Sequence, residues 1–353
     1  MTTRYQASRD DLSRLLDGEP RYRIDQVWNG LYKELADPAA MTNLPKALRS
    51  RVDESLPLAL VPVTENESDR GKTVKFLWEL YGGSRIETVL MLYSDRATVC
   101  VSTQAGCAMG CGFCATGQAG FTRHLASGEI VEQVVRAAQR ARRLGRRVSN
   151  VVYMGMGEPL ANEEATRLAV ERIHDDIGIS ARHLTVSTVG IVPGIRKLAS
   201  WRLPVNLAVS LHAARDPLRD ELVPVNRRYP IADLMAACRD YLGDRNRRIT
   251  FEWALIAGTN DTDRDARELA SLARGLKPSA HVNLIPLNPT PGWPTRGSSR
   301  ARVHAFRDML VEQGVNATVR RNRGTDIAAA CGQLAAGQPV VLSRRAGNDS
   351  TQD

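Results

Sequence analysis

Six strand-like segments alternate with six helix-like segments through most of the chain beyond residue 96. Parallel strands need long crossover connections, which are usually helices, so this alternation predicts an α/β fold with a parallel sheet. Periodicity alone leaves open whether the sheet closes into a barrel. The expected strands span 97–103, 149–154, 183–187, 205–210, 249–256 and 280–286, and the expected helices span 127–144, 162–174, 193–200, 231–242, 263–275 and 300–314.

The segments on either side of this alternation have different patterns. Residues 1–65 show helical spacing of apolar positions, which predicts a separate helical module. Two strand-like runs around a Gly-Gly pair predict a β-hairpin within residues 66–95. Residues 96–337 would then form the main domain, and the polar tail 338–353 is expected to be disordered.

The chain carries 48 Lys and Arg against 39 Asp and Glu, and this net charge of +9 favours a polyanionic partner such as nucleic acid. Two groups of arginines are candidates for phosphate contacts, although the first group fits a solvated helix face equally well. They are Arg136, Arg140, Arg142, Arg143, Arg146 and Arg147, and then Arg320, Arg321 and Arg323. The sequence shows no apolar run of 18 residues and no secretory signal, so we expect a cytoplasmic protein without a membrane span.

A cysteine-rich loop with Cys107, Cys111 and Cys114 follows the first strand of the alternation. The cytosol keeps thiols reduced, so metal ligation explains these cysteines better than disulfides do. Zinc sites usually take four ligands, and no second Cys-x-x-Cys pair is present. Three thiolates suit a [4Fe–4S] cluster with one iron left for a non-protein ligand. The spacing resembles that of radical S-adenosylmethionine (SAM) enzymes, in which SAM binds this iron.

Small and polar residues follow the later strands. The carboxyl ends of the strands form the functional face of β/α barrels. Any one of these residues could be an ordinary turn or helix cap. Together, beside the cysteine loop, they predict a ring of contacts to SAM, formed by Gly157, Glu158, Ser187, Ser210, Leu211, His212 and Asn288.

Three further cysteines lie outside the loop. Cys331 sits in a glycine-flanked segment near arginines, and nearby positive charge favours a reactive thiolate. Cys100 lies on the first strand of the alternation. Either residue could also be a packing residue, and Cys238, on the apolar face of a helix, is assigned to packing.

Together these features resemble the RlmN/Cfr family of radical-SAM RNA methyltransferases over about residues 20–337. The resemblance implies a partial (β/α)6 barrel with an N-terminal accessory domain that helps to hold RNA. It implies methylation of an adenine carbon in 23S rRNA and, for RlmN-type members, of an adenosine in tRNA. The residues that carry it are Glu87, Cys100, the cysteine loop with 115–117, and the segments 155–160, 187–190, 210–213, 283–289 and 323–334.

The resemblance also assigns roles to single residues. Cys331 would take a methyl group from one SAM, and a second SAM, cleaved at the cluster, would give the radical that activates this methyl group. Cys100 would release the methylated RNA by forming a transient disulfide with Cys331. Glu87 would accept a proton. A flavodoxin-type donor would supply electrons, and we expect the enzyme to act as a monomer.

Other functions compete with this interpretation. Methylation of adenine carbon 8, as in Cfr-type enzymes, would use the same motifs, and we favour carbon 2 because that branch is commoner. A radical-SAM enzyme with a non-RNA substrate would not need Cys100 and Cys331. A non-catalytic RNA-binding iron–sulfur protein would not need the SAM residues.

Overall fold

A computed structural model describes residues 2–243, 247–290, 292–293 and 295–337. The tail expected to be disordered, 338–353, lies outside the described residues. The strands are β1 Leu60–Ser68, β2 Thr73–Leu80, β3 Arg85–Leu92, β4 Ala97–Cys100, β5 Gln104–Gly106, β6 Phe121–His124, β7 Val148–Tyr153, β8 Leu184–Thr188, β9 Asn206–Ser210, β10 Ile249–Leu255, β11 His281–Pro286 and β12 Ala317–Val319. Ten of them form one sheet in the order β1-β2-β3-β4-β7-β8-β9-β10-β11-β12, and β5 pairs with β6.

The expected alternation of strands and helices is confirmed. Strands β4 and β7–β12 pair in parallel, and a crossover helix follows each of them except the last. The sheet ends at β1 and β12 instead of closing, which makes it a partial barrel. The helices are α1 Arg9–Leu15, α2 Tyr22–Tyr32, α3 Lys46–Ser55, α4 Ala115–Gln118, α5 Ser127–Arg143, α6 Glu163–Arg172, α7 Val192–Ser200, α8 Asp216–Leu222, α9 Ile231–Leu242, α10 Asp263–Arg274 and α11 Arg300–Glu312. None of these described helices has the length and apolar character that a membrane span requires.

The strand β10 shows how the core and the site lie on opposite faces of the sheet. Alternate residues of a strand point to opposite faces. Phe251 and Trp253 are fully buried, and the Trp253 ring lies 6.1 Å from the ring of Phe306 on α11. Glu252 and Ala254, the residues out of phase with them, line a cleft inside the curved sheet. The apolar core therefore fills the space under the helices and leaves the inner face for polar groups.

The boundary expected at residue 65 runs through a strand. Residues 60–65 belong to β1, which pairs with β2 and so extends the expected β2–β3 hairpin within the antiparallel part of the ten-stranded sheet. Proline disfavours a strand interior, and Pro62 obscures this strand in the sequence. The fold accommodates Pro62 because β1 is the edge strand and its pairing shifts between Pro62 and Thr64. The division into domains remains a prediction.

Three of the six arginines in the first group join α5 to the N-terminal part of the chain. Arg140 forms ion pairs with Glu65 and Glu67 of β1. Arg142 donates to the carbonyl oxygens of Lys33 and Glu34, and the Arg136 guanidinium lies 5.6 Å from the Trp78 ring centroid. These contacts favour a structural role over phosphate binding for these three arginines.

Glu132 of α5 anchors the start of β1. Its fully buried carboxylate accepts hydrogen bonds from the backbone N–H groups of Ala59, at 2.9 Å, and Leu60, at 3.2 Å. Glu132→Ala would leave two buried donors unpaired, and each such donor costs about 1–3 kcal/mol. We expect the free energy of unfolding to fall by about 3 kcal/mol, measured by urea denaturation. Glu132→Gln, which keeps one acceptor, should lower the free energy of unfolding by less. Equal stability of the unaltered protein and both variants would contradict this role.

Candidate active site

The cysteine loop lies between β5 and α4, at the carboxyl ends of the parallel strands. Cys111 is buried, and Cys107 and Cys114 are half-buried. The Cys107 N–H donates to the Gly120 carbonyl at 2.7 Å, and the Cys114 N–H donates to the Cys111 carbonyl at 3.1 Å. Burial raises the pKa of Cys107 to about 12 and that of Cys111 well above its ordinary value. Thiols so poorly solvated would be held as thiolates only by a bound cation, because coordination to a metal removes the proton.

The donor set fits a cluster better than a single metal ion. All three cysteines line one cleft, together with residues from the carboxyl ends of β7–β11. Within the described ranges, no group of three His, Cys, Asp or Glu side chains is arranged to hold one ion. A cubane does not require such an arrangement, since each thiolate binds a different iron. The loop also wraps tightly, because a Cβ atom at Gly117 would lie 2.9 Å from the Cys111 carbonyl oxygen.

This cleft, called here the main cleft, combines apolar side chains with a few converging polar groups, as ligand sites usually do. The structure brings most of the residues expected to bind SAM to its wall. Leu211 is fully buried and does not line the cleft. The expected residues that do line it are Cys107, Cys111, Cys114, Gly157, Glu158, Ser187, Ser210, His212, Asn288 and Cys331.

Glu158 and Gly157 form the turn after β7. The buried Glu158 carboxylate accepts hydrogen bonds from the N–H groups of Leu160, at 3.0 Å, and Val189, at 2.8 Å. Burial raises the pKa of Glu158 to about 7, and these two hydrogen bonds oppose the shift. Gly157 has φ +97°, and a Cβ there would lie 2.5 Å from the Cβ of Gln104. The turn therefore needs glycine for both its conformation and its close packing.

His212 presents a hydrogen-bond donor to the cleft. Its Nδ1 accepts a hydrogen bond from the Ala254 N–H at 3.0 Å. Burial lowers the pKa of His212 to about 3, so the ring is neutral and Nε2 carries its proton. The ring stacks edge-on against Phe113 of the cysteine loop, with centroids 4.8 Å apart. His212 thus connects β9 to the proposed cluster.

One buried oxygen of the main-cleft wall, Glu252 Oε2, has no hydrogen-bond partner in the described structure. Buried polar atoms are rarely unpaired, so this oxygen fits a polar ligand in the cleft. The sequence pattern did not indicate Glu252, whose Oε2 lies 3.8 Å from Nη1 of Arg320. The position of Glu252 as a charged residue inside the largely apolar β10 segment was the one sequence signal that could have indicated a functional role.

Cys331 and Cys100 line a second, smaller cavity, called here the cysteine cavity. Cys331, Arg320, Met154 and Leu334 line both this cavity and the main cleft. Desolvation raises the pKa of the Cys331 thiol, although the residue as a whole is exposed, and the Arg320 guanidinium opposes that shift. Burial also raises the pKa of Cys100 to about 12. All six cysteines are free thiols here, and Cys238 is fully buried on α9, as expected of a packing residue.

Contacts from separate parts of the fold hold the Cys331 segment. Asn288 Nδ2 donates to the Cys331 carbonyl at 3.1 Å. The N–H of Ala115, the residue after Cys114, donates to the Gly332 carbonyl at 2.7 Å, and Thr116 Oγ1 donates to the Leu334 carbonyl at 2.6 Å. The segment that carries Cys331 is therefore fixed to the segment that carries the predicted cluster ligands.

Glu87 supports the same segment but does not line either cavity. Its buried carboxylate pairs with Lys75 Nζ at 2.8 Å and accepts hydrogen bonds from the N–H groups of Ala335, at 2.9 Å, and Ala336, at 3.1 Å. In this arrangement Glu87 positions the chain after Cys331. Its expected role as a proton acceptor remains a prediction, and it would require the carboxylate to exchange one of these partners.

Comparisons with known proteins agree with this site. Residues 101–273 match the model of the radical SAM superfamily. A probable dual-specificity RNA methyltransferase RlmN of Chloroflexus aurantiacus is 51% identical over 96% of this chain and 94% of its own length. One of Frankia alni is 52% identical over 93% of this chain and 81% of its own. The crystal structure of a radical SAM methyltransferase from Sphaerobacter thermophilus superimposes with a TM-score of 0.91 at 53% identity, over 95% of this chain and 100% of that one. The chain therefore belongs to the RlmN family of radical SAM RNA methyltransferases.

Proposed function

We propose that this protein methylates carbon 2 of an adenosine in 23S rRNA, at the peptidyl transferase centre, and of an anticodon-loop adenosine in tRNAs. The observation that carries the proposal is the convergence of Cys331, Cys100 and the cysteine loop on two cavities that share Cys331 and Arg320. The relatives' printed name, dual-specificity RNA methyltransferase, supports two classes of RNA substrate.

A [4Fe–4S] cluster on Cys107, Cys111 and Cys114 and a SAM molecule in the main cleft fit the residues present. When bound, these groups supply methyl groups and a one-electron route to an unreactive carbon. The chain's own contribution is binding: Glu158 and the neutral His212 offer an acceptor and a donor. Glu252 Oε2, which has no hydrogen bond in the described structure and lies 3.8 Å from Arg320 Nη1, completes the polar wall. The buried wall also keeps water away from this chemistry.

Cys331 would carry the methyl group before it reaches the RNA. Carbon 2 of adenine is electron-poor and cannot act as a nucleophile, so direct transfer by displacement is excluded. A thiolate can accept a methyl group by displacement. Burial disfavours the thiolate of Cys331, and Arg320 beside it stabilises that form.

Cys100 would release the product. In the proposed last step its thiolate attacks the sulfur of Cys331, and the bond from that sulfur to the methylene carbon on the base breaks. The electron pair of this bond passes to the base-bound carbon, which takes up a proton and becomes the methyl group, while a disulfide forms between the two sulfurs. Both thiols line the cysteine cavity, so the reaction needs no distant partner. The disulfide is transient and must be reduced by an external thiol before the next turnover.

Nucleoside analysis tests the carbon that is modified. The protein would be reconstituted without oxygen with iron and sulfide, then incubated with SAM, dithionite and an unmodified 23S rRNA transcript or tRNA. We expect 2-methyladenosine by mass spectrometry of the digested RNA. Dithionite replaces the expected flavodoxin-type donor. A product consisting of 8-methyladenosine alone would refute carbon 2 specificity, and Cys238→Ala, a change outside both cavities, should give the same product as the unaltered protein.

A further inference from the structure

A cation-rich groove lies between α11 and β12. From α11 it is lined by Arg300, His304 and Arg307, and after β12 by Arg320, Arg321 and Asn322. Among the described residues that line it there is no aspartate or glutamate. The strand β12 ends the sheet, so this side of the fold has no further strand beside it. The groove thus presents guanidinium groups and an imidazole on an open side of the barrel.

The groove shares wall residues with the proposed active site. Arg320 lines the groove, the main cleft and the cysteine cavity. Arg321 and Asn322 line both the groove and the cysteine cavity, in which Cys331 lies. A chain molecule that reached Cys331 from this side would pass directly over the groove.

The cations of the groove are available to a ligand. Within the described part of the chain, Arg300 and Arg321 are exposed and form no ion pair. Arg307 pairs at 2.6 Å with its neighbour Asp308, and the Asp308 side chain is 55% exposed. Such exposed ion pairs are weak, so it costs little free energy for Arg307 to leave Asp308 and pair with a phosphate instead.

We propose that the α11/β12 groove binds backbone phosphates of the substrate RNA beside the target nucleotide. The inference rests on the proposed function, in which the target adenine reaches Cys331. Arginine suits this role because its planar guanidinium binds phosphate oxygens through two hydrogen bonds. The groove fixes the register of the RNA, and the bases are read elsewhere.

The test measures RNA binding without turnover. The dissociation constant for an unmodified 23S rRNA transcript would be determined by filter binding across a range of salt concentrations, with reconstituted protein and no reductant. For Arg300→Ala/Arg307→Ala we expect binding at least about tenfold weaker at low salt. Loss of two phosphate contacts should also make the slope of log K against log salt shallower by about 1.5.

Two matched double variants separate the groove from general charge. Arg267→Ala/Arg274→Ala removes two exposed arginines of α10 that line none of the described cavities, and it should bind normally. Arg182→Ala/Arg248→Ala removes two arginines from another basic cleft, at the amino ends of β8 and β10, and should also bind normally. Unchanged binding by the groove variant, or equal loss in all three, would overturn the inference. A different outcome would refute the proposed function alone. In it, the groove variant binds RNA more weakly as expected, but the unaltered protein produces no 2-methyladenosine.

Discussion

Replacing Cys331 with alanine is expected to abolish methylation of RNA, a loss of at least about a thousandfold, as is usual when a covalent nucleophile is removed. Alanine cannot hold the methyl group, and adenine carbon 2 cannot accept one directly. Cys331 is the thiol that lines both the main cleft and the cysteine cavity and is exposed, so no other described side chain is placed to replace it. The measurement is transfer of radiolabelled methyl from SAM to 23S rRNA.

The same variant should keep the chemistry that does not involve Cys331. Its cluster absorbance should be unchanged, and reductive formation of 5′-deoxyadenosine from SAM should persist, since the cysteine loop and the SAM wall are intact. Cys238→Ala serves as the control for the loss of a thiol. Retained methyl transfer by Cys331→Ala would defeat the mechanism, whatever the identity of the product.

Cys100→Ala is expected to trap the RNA on the protein. Without the second thiol, the bond between the Cys331 sulfur and the methylene carbon on the base is not broken, so turnover stops after one event. Burial in the cysteine cavity excludes solvent thiols from replacing Cys100, which is only 8% exposed. The measurement is a denaturing gel with labelled RNA, on which a protein–RNA adduct should accumulate.

Two comparisons make this result specific. Digestion with nuclease should return the adduct to the mass of the protein plus a modified nucleotide. The double variant Cys100→Ala/Cys331→Ala should form no adduct, because it lacks the sulfur that holds the base. Free 2-methyladenosine produced by Cys100→Ala over many turnovers would show that another group resolves the intermediate.

The sequence predicts regular elements well where periodicity is strong. Helix α9 spans Ile231–Leu242, as expected, and α5 ends at Arg143, one residue earlier than expected. The cysteine loop and the polar strand ends were also recognised, since local spacing encodes them. Strand β1 was missed because Pro62 breaks the pattern, and only the pairing with β2 shows that this residue lies at an irregularity of an edge strand.

Contacts between distant residues could not be read from the sequence. The arginines of α5 looked like candidates for phosphate binding until the structure placed Glu65 and Glu67 against Arg140. Similarly, Glu252 reaches the main cleft only because the register of β10 turns it away from Phe251 and Trp253. The motif that contains Glu87 was recognised, but its bonds to Ala335 and Ala336 depend on a loop some 248 residues away.

The hydrogen bonds from Ala115 and Thr116 to the Cys331 segment have a thermodynamic consequence. Ala115 directly follows Cys114, the last proposed cluster ligand, so binding of a cluster and ordering of the Cys331 segment would share the same few residues. Two events that share a structural element are linked reciprocally: each stabilises the other by the same free energy. An enzyme that has lost its iron would therefore also hold its C-terminal loop less firmly, and would be an unproductive partner for RNA before any chemistry begins.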